Sequence, residues 1–221
     1  MSCPESACEA ARLLASLAGE RRGGCRGYRA GHVLAVLRLL ADHPAGRPTI
    51  SRLLGLGERP VKTLLSHTEK AGLTITTPYG AILAPLGRAV LDDIMSSMRW
   101  GRGYGVLWGD GYFYCNINCV EGPGTLTDVY LFRDHIVMEG CRASVIGSVR
   151  DGELVLPGVP DEIVRAVSGL LPRTVNRGVI IIAPARCQHK ILTACINILS
   201  EECARHDTTR VTPRSNPYPG E

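Results

Sequence analysis

Lysine is nearly missing from this chain, with three residues against 22 arginines in 221. Phenylalanine and tryptophan occur twice each, and aromatics make up only 5% of the residues, so any core must be built from aliphatic and small side chains. Long apolar runs are also lacking. The longest strongly apolar one is Val179 to Ala183, far short of the roughly 20 residues that a membrane helix needs. The opening residues show no basic start followed by an apolar stretch, so they do not read as a secretory leader. A cytoplasmic location without membrane association is the expectation. No His-x-x-x-His segment accompanies the cysteines, and no glycine loop ends in Lys-Ser or Lys-Thr. Zinc-site spacing and a nucleotide-phosphate loop are therefore not found, and neither a metal nor a cofactor is expected.

What is present is a charge asymmetry. Residues 1–100 carry 13 Lys and Arg against 8 Asp and Glu, a net of +5, while residues 101–221 carry 12 against 13. The excess positive charge lies entirely in the first half, which suits a polyanionic partner there. Within that half, Pro48 to Leu73 reads as two short amphipathic helices around a Gly-Leu-Gly turn. Ile50, Leu53 and Leu54 form one apolar stripe and Val61, Leu64 and Leu65 the next, at the i, i+3, i+4 spacing of a helix. On the outer face of the second helix, Arg59, Lys62, Thr63, Ser66 and Lys70 recur without an acid among them.

Before this pair, Val33, Val36, Leu37 and Leu40 mark a helix that stops ahead of His43-Pro44. Thr49 is expected to cap the next helix, and Pro60 falls in the first turn of the one after. Leu73 to Thr77, the turn Pro78-Tyr79-Gly80 and Ala81 to Leu83 read as a hairpin. A fourth helix should bury Leu86, Val90, Leu91, Ile94 and Met98. Three helices and a hairpin make a winged helix-turn-helix over residues 28–99, preceded by an N-terminal extension, 1–27. Glycines from Gly101 to Gly105 mark the boundary.

Residues 104–205 alternate strands and helices. Phe113 to Val120, a hairpin across Asp151-Gly152 and Gly178 to Ala183 are strands. Leu126 to Glu139, Asp161 to Leu170 (capped by Asp161) and Cys187 to Arg205 are helices, with His189 solvated in the last. The fold class is α+β: a winged helix followed by a small sandwich, its sheet mixed or antiparallel with helices on one face. Residues 206–221 read as a disordered tail. The nine cysteines read mostly as small buried hydrophobes, or as internal disulfides if the source is hyperthermophilic.

The run from Tyr28 to Leu91 resembles a group of archaeal winged-helix proteins whose C-terminal half is an α/β domain of unknown function. LGLGE at Leu54 to Glu58, VKTLL at Val61 to Leu65, KAGL at Lys70 to Leu73 and LGRAVL at Leu86 to Leu91 carry the likeness. FRDHI at Phe132 to Ile136, Gly140 and VRDGELVLPG at Val149 to Gly158 extend it through the second half. The resemblance implies a transcriptional regulator and imports no known ligand.

On duplex DNA, the third helix would offer Arg59, Lys62, Thr63 and Ser66 to the bases and Lys70 to phosphate. Arg47 and Arg52 would flank it, and the wing would present Thr76, Thr77 and Tyr79. A homodimer held by the second half would multiply the affinity of two such modules. A weaker expectation is an effector anion at Gly122, Gly124 and Thr125, where a glycine-rich turn opens a helix. No catalytic set is assembled: neighbours such as Arg133, Asp134 and His135 point different ways on a helix and read as a surface or intersubunit pair. The rivals to DNA binding are a winged helix used as a protein-interaction scaffold and a small-molecule enzyme housed in residues 104–205.

Overall fold

Alternate burial along the first hundred residues builds a helical layer. The structure, a computed structural model, describes residues 2–19, 27–104, 108–109 and 111–209. Cys25, Gly105, Asp110 and residues 210–221 lie outside them. Helix α1 (Glu5–Ala18) buries Ala7, Ala10, Ala11 and Leu14, a stripe of mostly small side chains that lets neighbouring helices approach closely. Helix α2 (Ala30–Asp42) buries Val33, Val36, Leu37 and Leu40 and ends at the extended His43, as the following proline requires. Then come α3 (Arg47–Leu54), α4 (Glu58–Lys70), the hairpin β1 (Thr74–Thr77) and β2 (Gly80–Leu83), and α5 (Pro85–Ser97). Several local expectations fail. Leu53, expected in the buried stripe of α3, is half exposed, and Met98, expected on the core side of α5, lies just past its end. Gly46, not Thr49, flanks the start of α3, because Pro48 is already in the first turn and places Thr49 inside the helix. Leu86 is half exposed: the core side of α5 is carried by Val90, Leu91 and Ile94.

The glycine-rich stretch expected to be a boundary instead begins a sheet. Strand β3 (Met98–Gly103) pairs with β4 (Tyr112–Ile117), and Gly101 and Gly103 sit against the rings of Tyr114 and Tyr112, filling the space side chains would take. After α6 (Leu126–Met138) come β5 (Val145–Arg150), β6 (Glu153–Val155), α7 (Asp161–Ser168), β7 (Gly178–Pro184) and α8 (Gln188–Thr209). The order is β3-β4-β7-β5-β6, with every pair antiparallel. The apolar run of β7 occupies the centre and is buried on both faces along its whole length. Helices lie on both faces rather than one. Val179, Ile181, Cys115 and Ile117 face α8, while Ile180, Ile182, Val149 and Leu154 face Val167 of α7 and Val175. Asp161 is the first residue of α7, after Pro160, and its side chain does not cap it. Helix α8 continues to Thr209, so residues 206–209 belong to it and not to a tail.

One apolar cluster runs from α1, α2 and α5 through α8 to the inner sheet face, so the two expected domains share a core. The crossing of α2 with α8 is close. A Cβ on Gly31 would lie 2.1 Å from the carbonyl oxygen of His189, and the Gly31 N–H donates to Thr193 Oγ1 at 2.9 Å. His189 is correspondingly half-buried, not solvated. Six cysteines are crosslinks rather than spare hydrophobes, in the disulfides Cys3–Cys119, Cys8–Cys203 and Cys141–Cys187, while Cys115 and Cys195 are the small buried thiols that the sequence suggested. The first two bolt α1, which the sequence presents as a mere extension, to the second half across 116 and 195 residues. In the chain-entropy picture a loop of that length gives each crosslink about 5 kcal/mol.

Candidate nucleic-acid interface

The geometry around α4 follows from its turn. Gly55 adopts the left-handed conformation that ends α3, the Leu56 N–H returns to the Ser51 carbonyl at 3.2 Å, and the Ser51 hydroxyl donates to the Leu56 carbonyl. Gly57 then opens α4, with Pro60 in its first turn, where no N–H is needed. Val61, Leu64 and Leu65 turn inward with Thr68, whose hydroxyl pairs with that of Thr74 at 2.8 Å. The opposite face, with Arg59, Lys62 and Lys70, is exposed. Nothing among the described residues covers Arg59, Lys62 and Lys70. Among the described residues Arg47, Arg52, Arg59, Lys62 and Lys70 make no ion pair.

The hairpin is tied to this helix. The Thr76 N–H donates to Glu69 Oε1 at 3.0 Å, and Ala45 exchanges two backbone hydrogen bonds with Ala81, at 3.0 and 2.9 Å, anchoring the hairpin base. Between α4, the start of α3 and the hairpin lies an open groove of about 550 Å³. It brings together Arg47, Lys62, Ser66, Thr76, Thr77 and Tyr79 from the expected contact set. Arg52, Arg59, Thr63 and Lys70 lie outside it. Two hydroxyls are already committed: Thr63 Oγ1 donates to the Arg59 carbonyl at 3.1 Å, and Thr77 Oγ1 donates to the Gly80 carbonyl at 2.7 Å while accepting from the Tyr79 N–H. Tyr79 projects from the hairpin tip, 89% exposed. Sequence reasoning missed Glu69, which lines the groove with a negative charge. Its position seven residues before Thr76 held no local signal.

The expected effector site is closed by the chain itself. The Asp128 carboxylate accepts from the N–H groups of Gly124 and Thr125 at 3.1 and 3.0 Å, while Thr125 Oγ1 accepts from the Asp128 N–H at 3.3 Å. This is a capping box. The Thr125 hydroxyl and backbone, then Gly124, hold the Asp128 carboxyl below the ordinary carboxylate range. Gly122 packs against the side chain of Ser148. Gly122, Gly124 and Thr125 therefore form a helix start, and the donors an effector anion would use are taken. Arg133 and Asp134 are exposed, whereas His135 Nε2 lies 3.4 Å from Glu201 of α8.

No family model matches this chain, and no curated protein does. Among solved structures it is similar to the hypothetical protein PH0730 from Pyrococcus horikoshii OT3, with a TM-score of 0.61 and 25% identity over 80% of this chain and 94% of that one. The likeness spans nearly the whole neighbour, so the helical layer and the sheet belong to one shared fold. No helix among the described residues is long and apolar enough to cross a membrane.

Proposed function

We propose that this protein binds duplex DNA through α4 and the hairpin, as a winged-helix transcriptional regulator that acts as a dimer and performs no chemistry. The observation that carries the reading is the exposed ridge of Arg59, Lys62 and Lys70, continuous with the groove that Arg47 and Ser66 enter. Cations without internal partners are free to neutralise phosphates, and a helix of α4's length fits the major groove. The fused core makes the helical layer and the sheet one rigid support for that surface. The three disulfides fit a DNA-bearing compartment of the kind found in hyperthermophiles, where intracellular disulfides persist. A cytoplasmic location accords with this.

Exposed apolar side chains on α3 and β1 favour a second reading, in which the module grips a protein. Leu53 is 54% exposed and Ile75 45%. The two readings differ in salt dependence. Fluorescence anisotropy on labelled random duplexes, from about 50 to 300 mM salt, should give an affinity falling steeply with salt for the DNA reading. No binding at the lowest salt would remove it and leave the protein partner.

A further inference from the structure

Helix α6 departs from the pattern of a surface helix. Its inner side is carried by Ile136, with Val129 and Phe132 resting on the core. At 100° per residue its outer arc holds Leu126, Tyr130, Leu131, Val137 and Met138 together with Thr127, Arg133 and Asp134. The five apolar side chains are all exposed, Leu131 to 63% and Met138 to 80%. Asp134 divides them: Leu126, Tyr130 and Val137 lie on one side of it, and Leu131 and Met138 on the other, where Leu131 borders α8. The backbone at Gly158 supports Leu126 from one side, so the patch has a firm floor.

We propose that this face docks a second copy of the chain, α6 against α6, about a two-fold axis running along the helices. A two-fold interface uses one patch twice, so the patch must complement itself. Arg133 and Asp134 decide the geometry. They flank the line of Tyr130 and Val137 on opposite sides, and among the described residues neither makes an ion pair. With the helices parallel, Arg133 meets the partner's Asp134 on one side of the apolar seam, and the exchange repeats on the other. An antiparallel crossing would set Arg133 against its own copy. The seam between the flanks is short, Leu126, Tyr130 and Val137, so the two ionic exchanges are what set the register of the pair. This deepens the regulator reading by naming the surface that would hold two winged helices at a fixed spacing, yet it stands or falls without DNA.

Sedimentation velocity of the full chain without DNA, from about 1 to 100 μM, tests it. A dimer is expected, and Tyr130→Glu should give a monomer with an unchanged thermal melt, since the ring is outside the core. Arg133→Asp and Asp134→Arg should each weaken the dimer about tenfold, and the double exchange should restore it. A wild-type monomer throughout the range, a dimer that survives Tyr130→Glu, or a double exchange that restores nothing would overturn the proposal. Duplex binding is read separately. Its loss on Lys62→Ala with the dimer intact concerns α4 alone, and its absence from an intact wild-type dimer would count against the DNA reading and not against this interface.

Discussion

The rings of His32 on α2 and His189 on α8 stack with centroids 4.5 Å apart, at the crossing that joins the helical layer to the sheet half. Both imidazoles are pushed toward the neutral form. Burial, then His189, then Arg29 push the His32 pKa from 6.5 down to about 4, and burial followed by Arg102 lowers that of His189, whose Nδ1 finds no hydrogen-bond partner among the described residues.

Acid should loosen this crossing. A histidine whose folded pKa lies below its unfolded one adds stability that is fully present above pH 6.5 and is lost as pH falls toward about 4. Partial solvent access reduces the effect, leaving on the order of 2 kcal/mol for His32. Thermal melts at pH 7 and pH 4 should show a fall that shrinks in His32→Gln. Equal falls in both proteins would remove His32 as the cause.

Reduction should cost more than acid. Cys8→Ser opens the longest crosslink, to Cys203, and leaves α1 held by Cys3–Cys119. A loss of about 3 to 5 kcal/mol is expected in denaturant melts, with a similar loss for Cys203→Ser and little more for the double variant. Additive losses would show that the two sulfurs act apart.

The thiols of Cys115 and Cys195 should be silent in the folded protein. Burial, then the neighbouring Cys115, pushes the Cys195 thiol well above its ordinary range. An alkylating agent at pH 8 should label neither residue until denaturant is added, as peptide mass spectrometry would reveal. Labelling of Cys195 in native buffer would mean that the core opens locally.

On the interface, Lys62→Ala should reduce the slope of log affinity against log salt by about one, because one phosphate contact is lost. Glu69→Gln should act the other way. The amide keeps an acceptor for the Thr76 N–H but removes the negative charge lining the groove, so affinity at low salt should rise several-fold. If Glu69→Gln weakens binding instead, the carboxylate contacts the partner itself.

Gly31→Ala should fail for a steric reason. The added methyl, which has no rotamer to escape into, would overlap the backbone carbonyl of His189, so neither can swing aside. A loss of at least 2 to 3 kcal/mol, or insoluble protein, is expected. A melt within about 0.5 kcal/mol of the parent would mean that α2 and α8 can part without cost.

Much of the fold was legible one segment at a time. The stripes of α2 and α4, the Pro78-Tyr79-Gly80 turn, the central apolar strand and the ridge from Arg59 to Lys70 all arise from interactions within about four residues, or from a burial period that the local chain imposes. Local reading failed where a group's partner lay close but its competition was invisible. Thr49 could have capped α3 had Pro48 not started the helix earlier, and the free donors of Gly124 and Thr125 were claimed by Asp128. The strand at Met98 to Gly103 escaped because its glycines look like a linker until the tyrosine rings of β4 lie over them.

The sequence by itself determined the α+β class, the order of the helices and strands other than α1 and β3, and the cationic face of α4, since each depends on periodicity and on charges a turn apart. The tertiary structure alone decided that α1 is part of the core, that Cys8 finds Cys203, that His189 stacks on His32 and that α6 keeps apolar side chains outward. Those outcomes depend on which surfaces meet across a hundred residues or more. That choice is made by the packing of the whole chain and leaves no mark on the residues next in line.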